Sequence, residues 1–136
     1  LIPRLKQKKD ARIVIISSIG AITPMPKSSL YASAKSGIYS YGRSIGEELR
    51  GNNISVTISL PGYVKTNAHK RAGLDHLESK IPFWMWVSAE KVVKITERAS
   101  KSGKSEVIPG LAYKLIKPFL GMHLTSRVWK FLNKRS

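Results

Sequence analysis

Three side chains in this sequence could together move a proton on and off an oxygen atom. Tyr31 and Lys35 lie four residues apart in Tyr-Ala-Ser-Ala-Lys, and Ser18 lies thirteen positions before Tyr31 in Ile-Ile-Ser-Ser. Positions i and i+4 of a helix share a face, so the phenol and the ammonium are expected to point the same way. A free tyrosine titrates near pH 10, too high to exchange protons easily at neutral pH. A neighbouring cation favours the phenolate and brings the phenol toward working range. Such a phenol can donate a proton to a carbonyl oxygen or take one from an alcohol. Ser18 could hydrogen-bond the same oxygen. Tyr-x-x-x-Lys alone is equally what an ordinary helix face presents, with the Tyr31 hydroxyl in water. The surrounding elements must decide between these readings.

Residues 12–17, Arg-Ile-Val-Ile-Ile-Ser, form an apolar, β-branched run. Both faces are greasy, which predicts a parallel strand covered on each side. Gly20, Pro24, Pro26 and Ser28 predict a loop over 19–28. A helix is expected from Ser28 or Ser29 to about Arg50, stopped by Gly51. Its interior glycines, Gly37, Gly42 and Gly46, predict close packing against a neighbour. Residues 54–60 alternate apolar and small polar side chains, as a strand does. Pro61-Gly62 ends that strand, and 63–87 reads as irregular with a short helical stretch near 67–79. Ser88 should cap a helix over 89–100, and 106–108 reads as a last short strand. Two short basic amphipathic helices are expected over 111–133, separated near Pro118 to Gly121. The order strand, helix, strand, helix, strand argues for parallel βαβ units. In such sheets ligands bind beyond the carboxyl ends of the strands, where Ser18 and Pro61-Gly62 fall.

The chain has 136 residues, enough for one modest domain. It opens on Leu1, which reads as the interior of a longer polypeptide. There is no cysteine, which excludes disulfides and thiolate chemistry. The formal net charge is +16, from 24 Lys and Arg against 8 Asp and Glu, and it concentrates at the two ends. Such a field attracts anions, or is simply a solvated surface. No recognition helix, RNA-binding aromatic motif or zinc spacing accompanies it, so nucleic acid is not the expected partner. His69, His76 and His123 have no ligand spacing, and no metal site is expected.

Taken in register, Ile-Ile-Ser-Ser-Ile-Gly (15–20), Tyr-Ala-Ser-Ala-Lys (31–35) and Pro-Gly-Tyr-Val-Lys-Thr (61–66) resemble successive signatures of the short-chain dehydrogenase/reductase family. The resemblance covers residues 1 to 108 and implies a Rossmann-like, doubly wound parallel α/β sheet. Only its C-terminal part is expected here, as strands with flanking helices over 1–110, followed by a basic helical tail over 111–136. By the same resemblance Tyr31 is the catalytic acid/base. Lys35 lowers its pKa and hydrogen-bonds the nicotinamide ribose. Ser18 orients the substrate carbonyl or hydroxyl. Tyr31, Lys35, Pro61, Gly62, Val64 and Thr66 fall at positions beside an NAD(P)(H) cofactor, NAD and NADP being undecided. The missing side chain at Gly62 would let backbone approach that cofactor. The implied reaction interconverts a carbonyl and an alcohol by hydride transfer. The implied partner is a small-molecule substrate, and the full-length parent is expected to be a homo-oligomer paired through the 29–50 helix.

The family's glycine-rich loop is absent from these residues, as is the asparagine that completes its proton relay. The upstream strands that would pair with the first strand are missing too. The 136 residues alone are therefore expected to be inactive. Phe83, Trp84, Met85 and Trp86 form an apolar cluster in the segment that, by resemblance, lids the substrate pocket. They read either as an apolar substrate wall or as a lid packed on the core. The tail, with Leu111, Leu115, Phe119, Trp129 and Phe131 among basic residues, reads as a helical cap or as a peripheral contact with an anionic membrane. The expected location is the cytoplasm, with that membrane contact as its alternative. A noncatalytic scaffold using the basic tail for binding is the competing function. It has no chemical need for Ser18, Tyr31 and Lys35 together.

Overall fold

The computed structural model describes residues 2–66 and 81–119. A short helix α1 (Ile2–Lys6) leads into β1 (Ala11–Ile16). A single 3-10 turn, Ile19–Ala21, connects β1 to the long helix α2 (Ser29–Glu48). Strands β2 (Ile54–Ser59) and β3 (Tyr63–Lys65) follow. A 3-10 turn, Phe83–Met85, precedes β4 (Trp86–Ser88) and helix α3 (Ala89–Lys101). The described chain ends with β5 (Glu106–Val107), helix α4 (Leu111–Ile116) and a 3-10 turn, Lys117–Phe119. No helix among the described residues is long and apolar enough to cross a membrane.

The principal sheet has the order β1-β2-β5, with every pairing parallel. β1 and β2 run in register from Ala11 beside Ile54 to Ile16 beside Ser59. This is the βαβ arrangement that the alternation of elements predicts. Parallel neighbours need a crossover, and α2 supplies it between β1 and β2. α2 lies close on the sheet at one glycine. A Cβ at Gly42 would stand 2.8 Å from Ile58 Cγ1 and 3.1 Å from Ile15 Cδ1. Gly37 has open space and Gly46 ordinary contact, so close packing explains one of the three glycines and not the others.

Two apolar clusters hold the sheet. Ala11, Ile45, Leu49, Ile54 and Val56 close its amino end under the last turns of α2. Ile58, Leu60, Val87, Val92, Ile108 and Tyr113 form the second cluster toward the carboxyl end. Tyr113 of α4 is 1% exposed, so the first helix beyond residue 110 is part of this core. The buried hydroxyls of Thr57, Ser59 and Thr96 are paired, as burial favours. Ser59 Oγ and Thr96 Oγ1 share a hydrogen bond of 2.8 Å, and Thr57 Oγ1 donates to the Lys104 carbonyl at 2.6 Å.

Two expectations need correction. β1 is not covered on both faces: Val14 and Ile16 are 43% and 51% exposed. With Val92 and Val93 of α3 they line an open apolar groove. A hydrophobic run reports what a strand is made of, not what lies against it. Nor is 63–87 wholly irregular. β3 and β4 pair in parallel, with Tyr63 beside Trp86, Val64 beside Val87 and Lys65 beside Ser88. Three-residue strands are too short for alternation to be read. The expected helices near 67–79 and beyond 120 lie outside the described residues, as do His69, His76 and His123.

Candidate active site

Ser18 sits at the carboxyl end of the sheet, just beyond β1, with extended backbone and a buried side chain. Its Oγ accepts the Gly20 N–H at 3.1 Å, capping the 3-10 turn. It donates to the Pro61 carbonyl at 3.4 Å, a long bond that a better acceptor could replace. The Ile19 N–H donates to the same carbonyl at 3.1 Å. The loop after β1 is thus tied to the turn after β2.

Tyr31 and Lys35 occupy the first turns of α2. Lys35 Nζ lies 5.9 Å from the centroid of the Tyr31 ring, so the two side chains do share a face. Tyr31 is half exposed, open to a ligand from solvent. Gly20 relates the helix to the strand end. A Cβ built there would stand 3.2 Å from Tyr31 Cε1 and 3.5 Å from Ser18 Oγ. The phenol ring, the serine hydroxyl and Met25 Sδ thus surround one point beside Gly20, and Lys35 reaches the same phenol ring from the next turn of α2.

Two serines hold that start of α2 in position. Ser17 Oγ donates to the Lys35 carbonyl at 2.8 Å, and Ser36 Oγ donates to the Ala21 carbonyl at 2.8 Å. Neither is named by sequence reasoning, because a serine's partner cannot be inferred from its neighbours in the chain.

Pro61 is buried, Gly62 and Val64 are partly buried and Thr66 is exposed, all along the turn and strand that follow β2. The structure gives Gly62 a reason of its own. A Cβ at residue 62 would stand 2.2 Å from Cε2 and Cζ of Tyr113. The space left by the missing side chain is filled by this tyrosine. The Tyr113 hydroxyl accepts the Tyr63 N–H at 3.1 Å and donates to the Met85 carbonyl at 2.7 Å. Burial pushes its phenol up to about 12. Burial also raises the Tyr63 phenol, with the nearby Tyr113 and Tyr31 hydroxyls adding to the effect. The Tyr63 ring lies against Trp86 with centroids 5.5 Å apart. Of the apolar cluster at 83–86, Phe83 and Trp84 are exposed while Met85 and Trp86 are partly buried.

A second polar group lies further along α2, one turn beyond Lys35. Tyr39 donates to Glu106 Oε2 at 2.7 Å, and Lys117 Nζ pairs with Glu106 Oε1. The Arg43 guanidinium lies 5.9 Å from the Tyr39 ring centroid. Burial raises the Glu106 pKa, but the hydrogen bonds from Lys117 and Tyr39 and the charges of Lys117 and Arg43 outweigh it and lower the carboxyl overall. This group ties α2, β5 and the segment after α4 together.

A family model described as short chain dehydrogenase matches residues 1–76, more than half of the chain. Dehydrogenase/reductase SDR family member 4 of Homo sapiens is 27% identical over 111 residues, spanning 82% of this chain and 36% of that protein. The probable galactose dehydrogenase GalD of Rhizobium meliloti (strain 1021) is 28% identical over 96 residues, 71% of this chain and 32% of that one. The chain thus spans about a third of the length of these curated relatives. Among solved structures, a short chain dehydrogenase from Burkholderia cenocepacia J2315 in complex with NADP superposes with a TM-score of 0.73 at 20% identity. That likeness covers 98% of this chain and 53% of the other. A short-chain dehydrogenase from Sphingobium yanoikuyae in complex with NADPH gives 0.70 at 22% identity, covering 98% and 50%. Both likenesses speak to the fold, a Rossmann-like α/β sheet.

Proposed function

Since the chain belongs to the short-chain dehydrogenase family, we propose that it is the catalytic, C-terminal part of an NAD(P)-dependent oxidoreductase that interconverts a carbonyl and an alcohol. The observation that carries this is the meeting of Ser18 and Tyr31 around Gly20, with the Lys35 ammonium 5.9 Å from the phenol ring. In the reducing direction Tyr31 donates its hydroxyl proton to the carbonyl oxygen. Ser18 turns its hydroxyl from the Pro61 carbonyl to that same oxygen, holding it while charge develops. Lys35 stabilises negative charge on the Tyr31 oxygen once the proton has left. The reverse reaction uses the same groups in the opposite order. A bound nicotinamide supplies or accepts the hydride.

The residues at hand suit that cofactor. Ligands of such sheets bind beyond the carboxyl ends of the strands, and on this reading Tyr31, Lys35, Pro61, Gly62, Val64 and Thr66 are the residues that would hold the cofactor there. The two solved relatives hold NADP and NADPH, which supports a nicotinamide cofactor and leaves NAD or NADP open. None of the 136 residues forms a glycine-rich phosphate loop. On this reading they bind cofactor poorly and turn over nothing by themselves. Exposed Phe83 and Trp84 support a hydrophobic carbonyl substrate. Exposed Leu30, Ile38 and Tyr41 on α2 support pairing of subunits through that helix.

In the polypeptide that carries these residues together with a phosphate loop, Tyr31→Phe should lower turnover by about 10²-fold or more and leave cofactor affinity nearly unchanged. Near-normal turnover would overturn the role of Tyr31. Lys35→Ala should lose both rate and affinity; unchanged affinity argues against its ribose contact.

A second reading keeps the fold and gives the basic tail a membrane or partner to bind. Its support is the exposure of Leu111, Leu115 and Phe119 beside Lys114 and Lys117. Flotation with vesicles of phosphatidylcholine, with and without phosphatidylserine, separates the two. Binding that requires the anionic lipid favours the membrane contact, and its absence removes it.

A further inference from the structure

The turn that bears the proposed cofactor contacts is held from behind by a residue fifty positions away. We infer that Tyr113 is a positioning residue for the site: its ring and hydroxyl together fix the Pro61-Gly62-Tyr63 turn, and through Pro61 the Ser18 hydroxyl. The inference rests on the oxidoreductase reading above for what the turn is positioned to do.

The ring acts by exclusion. It occupies the place where residue 62 would carry a side chain, with three ring atoms between 2.2 and 2.6 Å from a Cβ built there. Only glycine can stand at 62 while the ring stays where it is. The hydroxyl acts by direction. It accepts from the first N–H of β3 and donates to the Met85 carbonyl just before β4, so one oxygen bridges both strands of the small sheet. A phenol pushed up to about 12 stays protonated at neutral pH and keeps both bonds. At 1% exposure the ring is packed on all sides.

The consequence reaches the site through one carbonyl. Pro61 O accepts from Ser18 Oγ and from the Ile19 N–H. A turn free to shift would move the acceptor that orients Ser18 and would carry Tyr63 and Val64 with it. α4, which holds no residue of the proposed chemistry, thereby sets the geometry of groups that do.

The test uses the polypeptide that carries these residues together with a phosphate loop, and two readouts. The first is hydrogen exchange at the Tyr63 amide, which needs no activity. The second is the affinity for NADPH and for NADH, titrated by fluorescence. Tyr113→Phe keeps the ring and removes the hydroxyl. It should speed Tyr63 exchange by about tenfold and weaken the better cofactor by about tenfold, while amides of β1 keep their rates. Gly62→Ala should weaken the same cofactor by about tenfold or more, and combining it with Tyr113→Leu, which removes the clashing ring atoms, should shrink the added loss to about twofold. Faster Tyr63 exchange with unchanged cofactor affinity makes Tyr113 a packing residue only and overturns the inference. Unchanged Tyr63 exchange in Tyr113→Phe overturns it outright. If the wild type binds neither cofactor, the oxidoreductase reading fails instead, and the exchange readout still judges whether Tyr113 holds the turn.

Discussion

The two ends of the parallel sheet are closed by different chemistry. At the amino end Ala11, Ile45, Leu49, Ile54 and Val56 meet as an aliphatic layer. At the carboxyl end Ile58 and Leu60 share their surroundings with directed polar bonds from Ser17, Ser18, Ser59 and Tyr113. Aliphatic contact is non-directional and tolerates swaps that conserve volume. Hydrogen bonds fix angles as well as distances. The end away from the proposed site uses the first kind of contact, and the end that bears it adds the second.

The largest expected effect probes this difference. Leu60 is fully buried in the cluster that also holds Tyr113. Leu60→Ala should cost about 3–5 kcal/mol in a urea titration, a large share of a domain's stability. Leu49→Ala at the other end should cost about 2–4 kcal/mol, and Leu49→Ile less than about 1.5 kcal/mol. If Leu60→Ala costs no more than Leu49→Ile, the two ends do not differ as argued.

A pair of glycine replacements on α2 sharpens the comparison further. Gly37→Ala enters open space, so it gains only helix propensity and should stabilise by about 0.5–1 kcal/mol. Gly42→Ala gains the same term but pushes a methyl to 2.8 Å from Ile58 Cγ1, backed by Ile15. Overpacking of about 1–3 kcal/mol should win, giving net destabilisation. Thermal melts of the two variants should therefore shift in opposite directions. A shared direction would mean that α2 is not seated on the sheet at Gly42.

The same contrast explains what could be read from the sequence. β1, α2, β2 and α3 declare themselves because each is long enough for its pattern to repeat. The Tyr31–Lys35 pairing follows from helix geometry alone and appears as expected. β3 and β4 escape because three residues carry no period. The partner of Gly62 escapes for another reason. A glycine before Tyr63 signals that something comes close, but whether that is a ligand or Tyr113 depends on folding across fifty positions. The exposure of Val14 and Ile16 is likewise a property of neighbours, and composition cannot carry it.

The smallest expected effect lies in the polar group around Glu106. The net lowering of the Glu106 carboxyl, despite burial, comes from Lys117, Tyr39 and Arg43. A carboxylate whose folded pKa lies below its unfolded value binds its proton more weakly in the folded state. Its contribution is then complete above the ordinary glutamate value of about 4.3 and is lost as pH falls through the lower folded value. Removing the ammonium with Lys117→Met should flatten stability against pH in that acid window and change little at pH 7, since partly exposed pairs contribute about 0–1 kcal/mol. Chemical denaturation of both proteins across that window measures the difference. Were the variant to lose stability equally at every pH, Lys117 would act through packing of its stem, and the carboxyl end would owe its order to contact area rather than to directed charge.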